Sequence, residues 1–164
     1  MASHHRLVAW VRFLALTAGR PEDGISVVTV GKARAESPRG RRVTVSTFTP
    51  RTQDPACEAT ARRHLHDLVA VYDAGMREPL PIACATSAAY AAAVASGKDG
   101  IAAATKAWET ANFSGEDRDQ EHQIVLGGVV PFDRLLGAPP GPGEEGHGWE
   151  AAETTRFGRY ARRL

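Results

Sequence analysis

At 164 residues and 17.5 kDa the chain has room for one domain with a real core and little for two. A formal charge of +1 provides no overall field toward nucleic acid or membrane, so an electrostatic partner has to meet a local cluster. Two cysteines, Cys57 and Cys84, are too few for a disulfide scaffold and lack metal-site spacing, which predicts a reducing, cytoplasmic setting.

Residues 5–18 form the first predicted helix, apolar almost all round, as in a helix covered on several sides. Its apolar run, Leu7 to Leu16, is about half the ~20 residues a bilayer span needs and contains Arg12. "TAGRPE" after it makes a poor signal-cleavage site, and Gly19 and Pro21 stop the helix. "ISVVTV" (25–30) reads as a strand buried on both faces, whereas "RVTVSTF" (42–48) alternates, with Val43, Val45 and Thr47 on one face. The two pair through a long loop.

Asp54 and Pro55 are an N-cap and first-turn pair opening a helix to about Met76, with Ala61, Leu65, Leu68, Tyr72 and Met76 as its core stripe. Pro79 and Pro81 then hold Glu78 and Leu80 extended. Thr86 or Ser87 caps a helix to about Ser96, ended by Gly97, and another runs from about Asp99 to Asn112 with Ile101, Thr105 and Trp108 on one face. "FSGEDRDQEH" reads as an acidic loop, "QIVLGGVV" as a strand, "PFDRLL" as a helical turn, and "TTRFGRYARRL" as a basic amphipathic helix. The Gly/Pro-rich stretch 137–149 cannot pack.

Catalytic constellations are missing. A PD-(D/E)XK nuclease needs a lysine two residues after a metal-binding acid, and Lys32, Lys98 and Lys106 follow "VG", "SG" and "AT". "PED" (21–23) sits in a turn without a partner, and Glu78 and Cys84 have no visible partner or base. Asp117, Asp119 and Glu121 alternate as in a calcium loop, but His122 stands where the EF-hand requires Gly and Gly128 where it requires Glu. No nucleophile elbow or phosphate loop occurs. No catalytic residue, metal ligand or cofactor is expected.

Two basic clusters remain: Lys32, Arg34, Arg39, Arg41 and Arg42 in the hairpin loop, and Arg156, Arg159, Arg162 and Arg163 at the end. Either can neutralise phosphates or contact a protein partner, and either can equally be a solvated surface. With 17 arginines against 3 lysines, arginine abundance reflects a compositional bias and says little about function. In the last segment Phe157, Tyr160 and Leu164 are expected to dock on the domain rather than stack on bases.

The order of "HRLVAWVRFLALTA" (5–18), "YDAGMREPLPIACATSAAYA" (72–91), "KAWE" with "FSGEDRDQEHQIVLGG" (106–128), "PFDRLL" (131–136) and "TRFGRYARRL" (155–164) resembles the C-terminal domain of RecC, in its actinobacterial form. RecC is the gamma subunit of bacterial exodeoxyribonuclease V, the RecBCD complex. The resemblance implies an α+β fold, mostly helical with a small β hairpin, as a partial, degenerate PD-(D/E)XK nuclease-like fold lacking its catalytic strands. It implies a piece of a longer subunit, beginning at the second core helix, without the helicase-like domains that read the recombination signal. It further implies RecB-like and RecD-like partners, DNA reached through the complex, and no membrane association. The expected organisation is a RecC-like domain (1–136), a flexible linker (137–153) and a basic terminal helix (154–164). Two alternatives stay open: a small helical protein-interaction domain without DNA binding, and a metal-dependent enzyme using the acidic loop 116–122.

Overall fold

A computed structural model describes residues 3–32, 43–49, 56–109, 115–138 and 153–163. Helices α1 (Ser3–Gly19), α2 (Cys57–Gly75), α3 (Cys84–Ala95), α4 (Gly100–Trp108), α5 (Gln120–Leu126), α6 (Asp133–Leu136) and α7 (Arg156–Ala161) accompany strands β1 (Val27–Lys32) and β2 (Val43–Phe48). The fold is therefore α+β, mostly helical with a small antiparallel sheet. It divides within α2 into two compact units, Met1–Ala70 and Val71–Leu164. Among the described residues no helix is long and apolar enough to cross a membrane.

In the first unit Ala9, Phe13, Leu14, Thr17 and Ala18 recur at helical spacing and form one buried stripe on α1. Val8, Val11 and Leu16 lie outside that stripe and are exposed, so α1 is covered on one side, not on several as its composition predicts. Trp10 stacks on Phe13 (5.5 Å) and both rings meet Phe48 of β2, while His64 of α2 reaches Trp10 at 5.9 Å. Arg62 of α2 donates to the carbonyl of Ala18 (2.9 Å), satisfying one of the orphan acceptors at the end of α1. The cap expected at Asp54 and Pro55 lies outside the described residues.

Strands β1 and β2 pair in the register Val27↔Phe48 to Lys32↔Val43. Only one face of the hairpin is sheltered: Val27 and Phe48 join the α1 core, while Val28, Val30, Val43 and Val45 share an open face. Val30 is 65% exposed, which corrects the expectation that "ISVVTV" is buried on both sides. A continuous β-branched run gives the same sequence signal whether one face or two are covered.

In the second unit the expected α2 stripe breaks. Val71 is buried, whereas Tyr72 and Met76 are 66% and 70% exposed. Beyond α2, Ile82 N–H bonds to the carbonyl of Leu80 (2.8 Å), a tight turn centred on the buried Pro81, and the Leu80 side chain covers Gly75. The core gathers Ala83, Tyr90, Ala104, Trp108, Phe132, Leu135, Phe157 and Ala161. Phe157 meets Phe132 and Tyr90 edge-on at 4.9 and 5.5 Å. Trp108 donates its indole N–H to the carbonyl of Val130 (2.8 Å), and Asp99 caps α4 by accepting from Ala102 N–H (3.0 Å). The buried line of α4 is Gly100, Ala104 and Trp108, with Ile101 exposed. A side chain at Gly100 would come within 2.7 Å of Val94 and 2.9 Å of Tyr90, so α3 and α4 cross where only glycine fits.

"QIVLGGVV" does not form a strand. Gln120–Leu126 is α5, and Gly127 at φ 80° with Gly128 N–H bonded to Gln123 carbonyl (2.8 Å) closes it in a Schellman turn. Thr86 and Ser87 are not caps either: both are buried inside α3, which begins at Cys84.

Candidate functional site

The N-terminus of α3 opens on Ala83, which offers no side-chain acceptor to the orphan N–H groups of the first turn. A carboxylate from outside the helix supplies them. Glu116, in a short 3-10 turn (Glu116–Arg118), accepts from Ala85 N–H (2.8 Å), Thr86 N–H (2.7 Å) and the Thr86 hydroxyl (2.7 Å). Its charge also opposes the positive end of the helix dipole. His122 Nδ1 in turn lies 2.8 Å from the Glu116 carbonyl, and its ring packs on Trp108 at 5.3 Å.

The acidic loop is therefore a helix-capping device. Asp117 is buried beside it, Asp119 and Glu121 are exposed, and among the described residues no group of three His, Cys, Asp or Glu side chains converges on a point. Cys84 sits at the capped terminus, where burial and then the Glu116 charge push its thiol above the ordinary 9.0. It is a poor nucleophile.

A second knot ties the last helix down. Glu153, itself buried, accepts from the Tyr90 hydroxyl at 2.6 Å, while Arg159 donates to the Glu153 backbone carbonyl (3.0 Å) and Arg162 stands 3.8 Å from its carboxylate. Burial, reinforced by the Glu153 hydrogen bond and charge, pushes the Tyr90 phenol up to about 12. A Cβ on Gly158 would strike the Glu153 carboxylate and come within 2.7 Å of the Tyr90 oxygen, so α7 can pass over this pair only with glycine there. Arg156 is 7% exposed and pairs with Glu78 at 2.7 Å, its guanidinium 5.8 Å from the Tyr160 ring centroid. Glu78, without a visible partner in the sequence, thus has one, and it fixes the proline junction to α7.

Of the predicted contact residues, Lys32 is exposed at the end of β1, whereas Arg34, Arg39, Arg41 and Arg42 lie outside the described residues. Arg156, one of the contact candidates, points into the fold. Arg159 on α7 and Arg163 just beyond its end are half-buried, with Arg159 held by Glu153. Phe157 and Tyr160 dock in the core as expected; Leu164 is outside the described residues. Most of the proposed linker, 139–152, is likewise outside them, but its last residue, Glu153, is a buried anchor. Glu116 and Glu153 are the residues sequence reasoning missed. Both act on segments far along the chain, and the one local clue was the absence of a capping side chain at Ala83.

Residues 1–95 match the RecC C-terminal domain family. RecBCD enzyme subunit RecC from two strains of Mycobacterium tuberculosis is 36% identical over 165 aligned residues, covering 100% of this chain and 14% of the relative. The same-named subunit of Mycolicibacterium smegmatis is 36% identical over 164 residues, with the same coverage. The chain thus spans 14% of the length of the curated relatives it matches. No solved structure matches it.

Proposed function

The chain belongs to the RecC C-terminal domain family, and from that premise we propose that it is a non-catalytic part of the RecC subunit of a RecBCD-type ATP-dependent helicase/exonuclease. It serves double-strand break repair by homologous recombination in the cytoplasm. The observation that carries the reading is identity of 36% along the whole chain with subunits named RecC. The side-chain chemistry agrees: Cys84 and Tyr90 both hold their protons more firmly than usual, and Glu116 and Glu153 cap a helix and anchor α7.

The chain works by docking onto RecB-like and RecD-like subunits and by guiding DNA strands. Lys32 with Arg34, Arg39, Arg41 and Arg42 forms the strand-guiding cluster, meeting phosphates without reading bases. Arg159 and Arg163 contribute to docking, and Arg156 maintains the fold beneath them. The architecture is a partial PD-(D/E)XK nuclease-like fold without a nuclease site, set as a RecC-like domain over 1–136 with a terminal helix reached through a linker.

Co-expression with tagged RecB-like and RecD-like subunits tests this. The chain is expected to co-purify with them through gel filtration; recovery of the chain alone, with both partners soluble, would overturn the assignment. A protein-interaction role without DNA is favoured if complexes form while charge reversal at the hairpin cluster leaves binding of a forked duplex unchanged. The exposed apolar residues Tyr72, Met76, Ile124 and Val125 make that second reading a specific one.

A further inference from the structure

A groove of about 660 Å³ in the first unit is lined by His5, Val8, Ala9 and Arg12 of α1 and by all six residues of β1, Val27–Lys32. Successive strand residues point to opposite faces, so a groove that touches six in a row meets the strand along its edge. No β2 residue lines it, which places it on the edge that faces away from β2. Among the described residues that edge carries no further strand, and its peptide groups are a template for one. The helical wall is one face of α1, its residues spaced i, i+3, i+4 and i+7. An extended residue in a sheet occupies roughly 3.3 by 4.8 by 10 Å, so the groove holds about four.

We propose that this groove receives, by strand addition to β1, an extended segment of a separate polypeptide whose side chains alternate between apolar and acidic. The charge on the helical wall selects it: Arg12 is exposed and has no ion-pair partner among the described residues, and none of the described residues that line the groove is acidic. The apolar set points to the opposite face, beside Val28 and Val30, which are 57% and 65% exposed. Backbone hydrogen bonds supply affinity and the alternating side chains supply choice, as in other strand-addition sites. The proposal deepens the docking role and rests on it by naming what kind of partner segment the first unit accepts.

The probe is a fluorescein-labelled, end-capped hexapeptide alternating valine and glutamate, titrated by anisotropy against the whole 164-residue chain. Saturable binding is expected, weakened about tenfold by Arg12→Glu, with the charge-swapped valine/lysine peptide preferring that variant. N-methylation of alternate peptide amides on one edge is expected to abolish binding while leaving every side chain in place. Equal binding of the methylated peptide, or indifference to Arg12→Glu, overturns strand addition. Concentration-dependent dimerisation that the peptide disrupts would give the groove to a second copy of the chain, and displacement by a thymidine oligonucleotide would give it to nucleic acid; either overturns the proposed occupant. Peptide binding by a chain that fails to co-purify with RecB-like subunits would sink the RecC reading and leave the groove assignment standing.

Discussion

Tyr90 keeps its proton because it is buried and because its hydroxyl is bonded to the Glu153 carboxylate, far along the chain. The unfolded chain ionises this phenol near the ordinary 10.0 and the folded chain near 12, so the stabilisation it contributes is complete below pH 10 and is lost as pH rises from 10 to 12. A displacement of that size corresponds to roughly 2–3 kcal/mol at the upper end of the window. Urea unfolding at stepped pH is expected to show this decline in the wild type and not in Tyr90→Phe, which lacks the titrating group. Gly158→Ala pushes a methyl group against Glu153 and the Tyr90 oxygen; about 1–3 kcal/mol of destabilisation is expected by the same measurement, from overpacking alone. Neither residue is conspicuous in the sequence. A tyrosine in an alanine-rich helix and a glycine in a basic tail acquire their meaning only when α3 and α7 meet.

At the scale of elements, α3 depends on a cap it does not encode. Glu116→Gln keeps an acceptor but removes the charge that faces the helix terminus, and a loss of roughly 1 kcal/mol is expected in thermal or urea unfolding. The same change removes the smaller of the two causes that raise the Cys84 thiol, so iodoacetamide is expected to alkylate Cys84 faster in the variant near pH 8. An unchanged alkylation rate would mean that burial alone governs the thiol. Most elements were legible beforehand: α1, the β1–β2 hairpin, α2 and α4 carry their own periodicity, and Gly19, Gly97 and Asp99 carry their ends. The error at "QIVLGGVV" has a local cause. Three apolar residues, Ile124, Val125 and Leu126, two of them β-branched, fit either period, and Asp119 and Glu121 before them with Gly127 and Gly128 after them were the helix boundary signals that decide it. The failed half of the α2 stripe has a different one, since periodicity marks a face as apolar without saying that anything covers it.

For the molecule as a whole, charge is the lever on the proposed DNA role. Five cations at the hairpin, each neutralising a phosphate, would give a slope of log affinity against log salt of up to about −4.5 on duplex DNA. Reversing Lys32, Arg34 and Arg39 together is expected to flatten that slope and weaken a forked duplex at low salt, measured by anisotropy, while leaving thermal stability within ~0.5 kcal/mol. Arg156→Ala should do the opposite, lowering stability through the lost Glu78 pair without changing the salt slope.

The sequence by itself determined the elements with strong periodicity, the α+β class, the lack of a recognisable nuclease motif and the family, because those depend on local pattern and on residue order. Tertiary structure alone decided which faces are covered and what the charged residues do. Glu116 lies 31 residues from Ala85, Glu153 lies 63 from Tyr90 and Arg156 lies 78 from Glu78, separations at which no local pattern marks a partner. Burial then settled the outcome: a charge withdrawn from water must find its counterpart nearby, so an acidic loop became a helix cap and a basic tail a buried anchor.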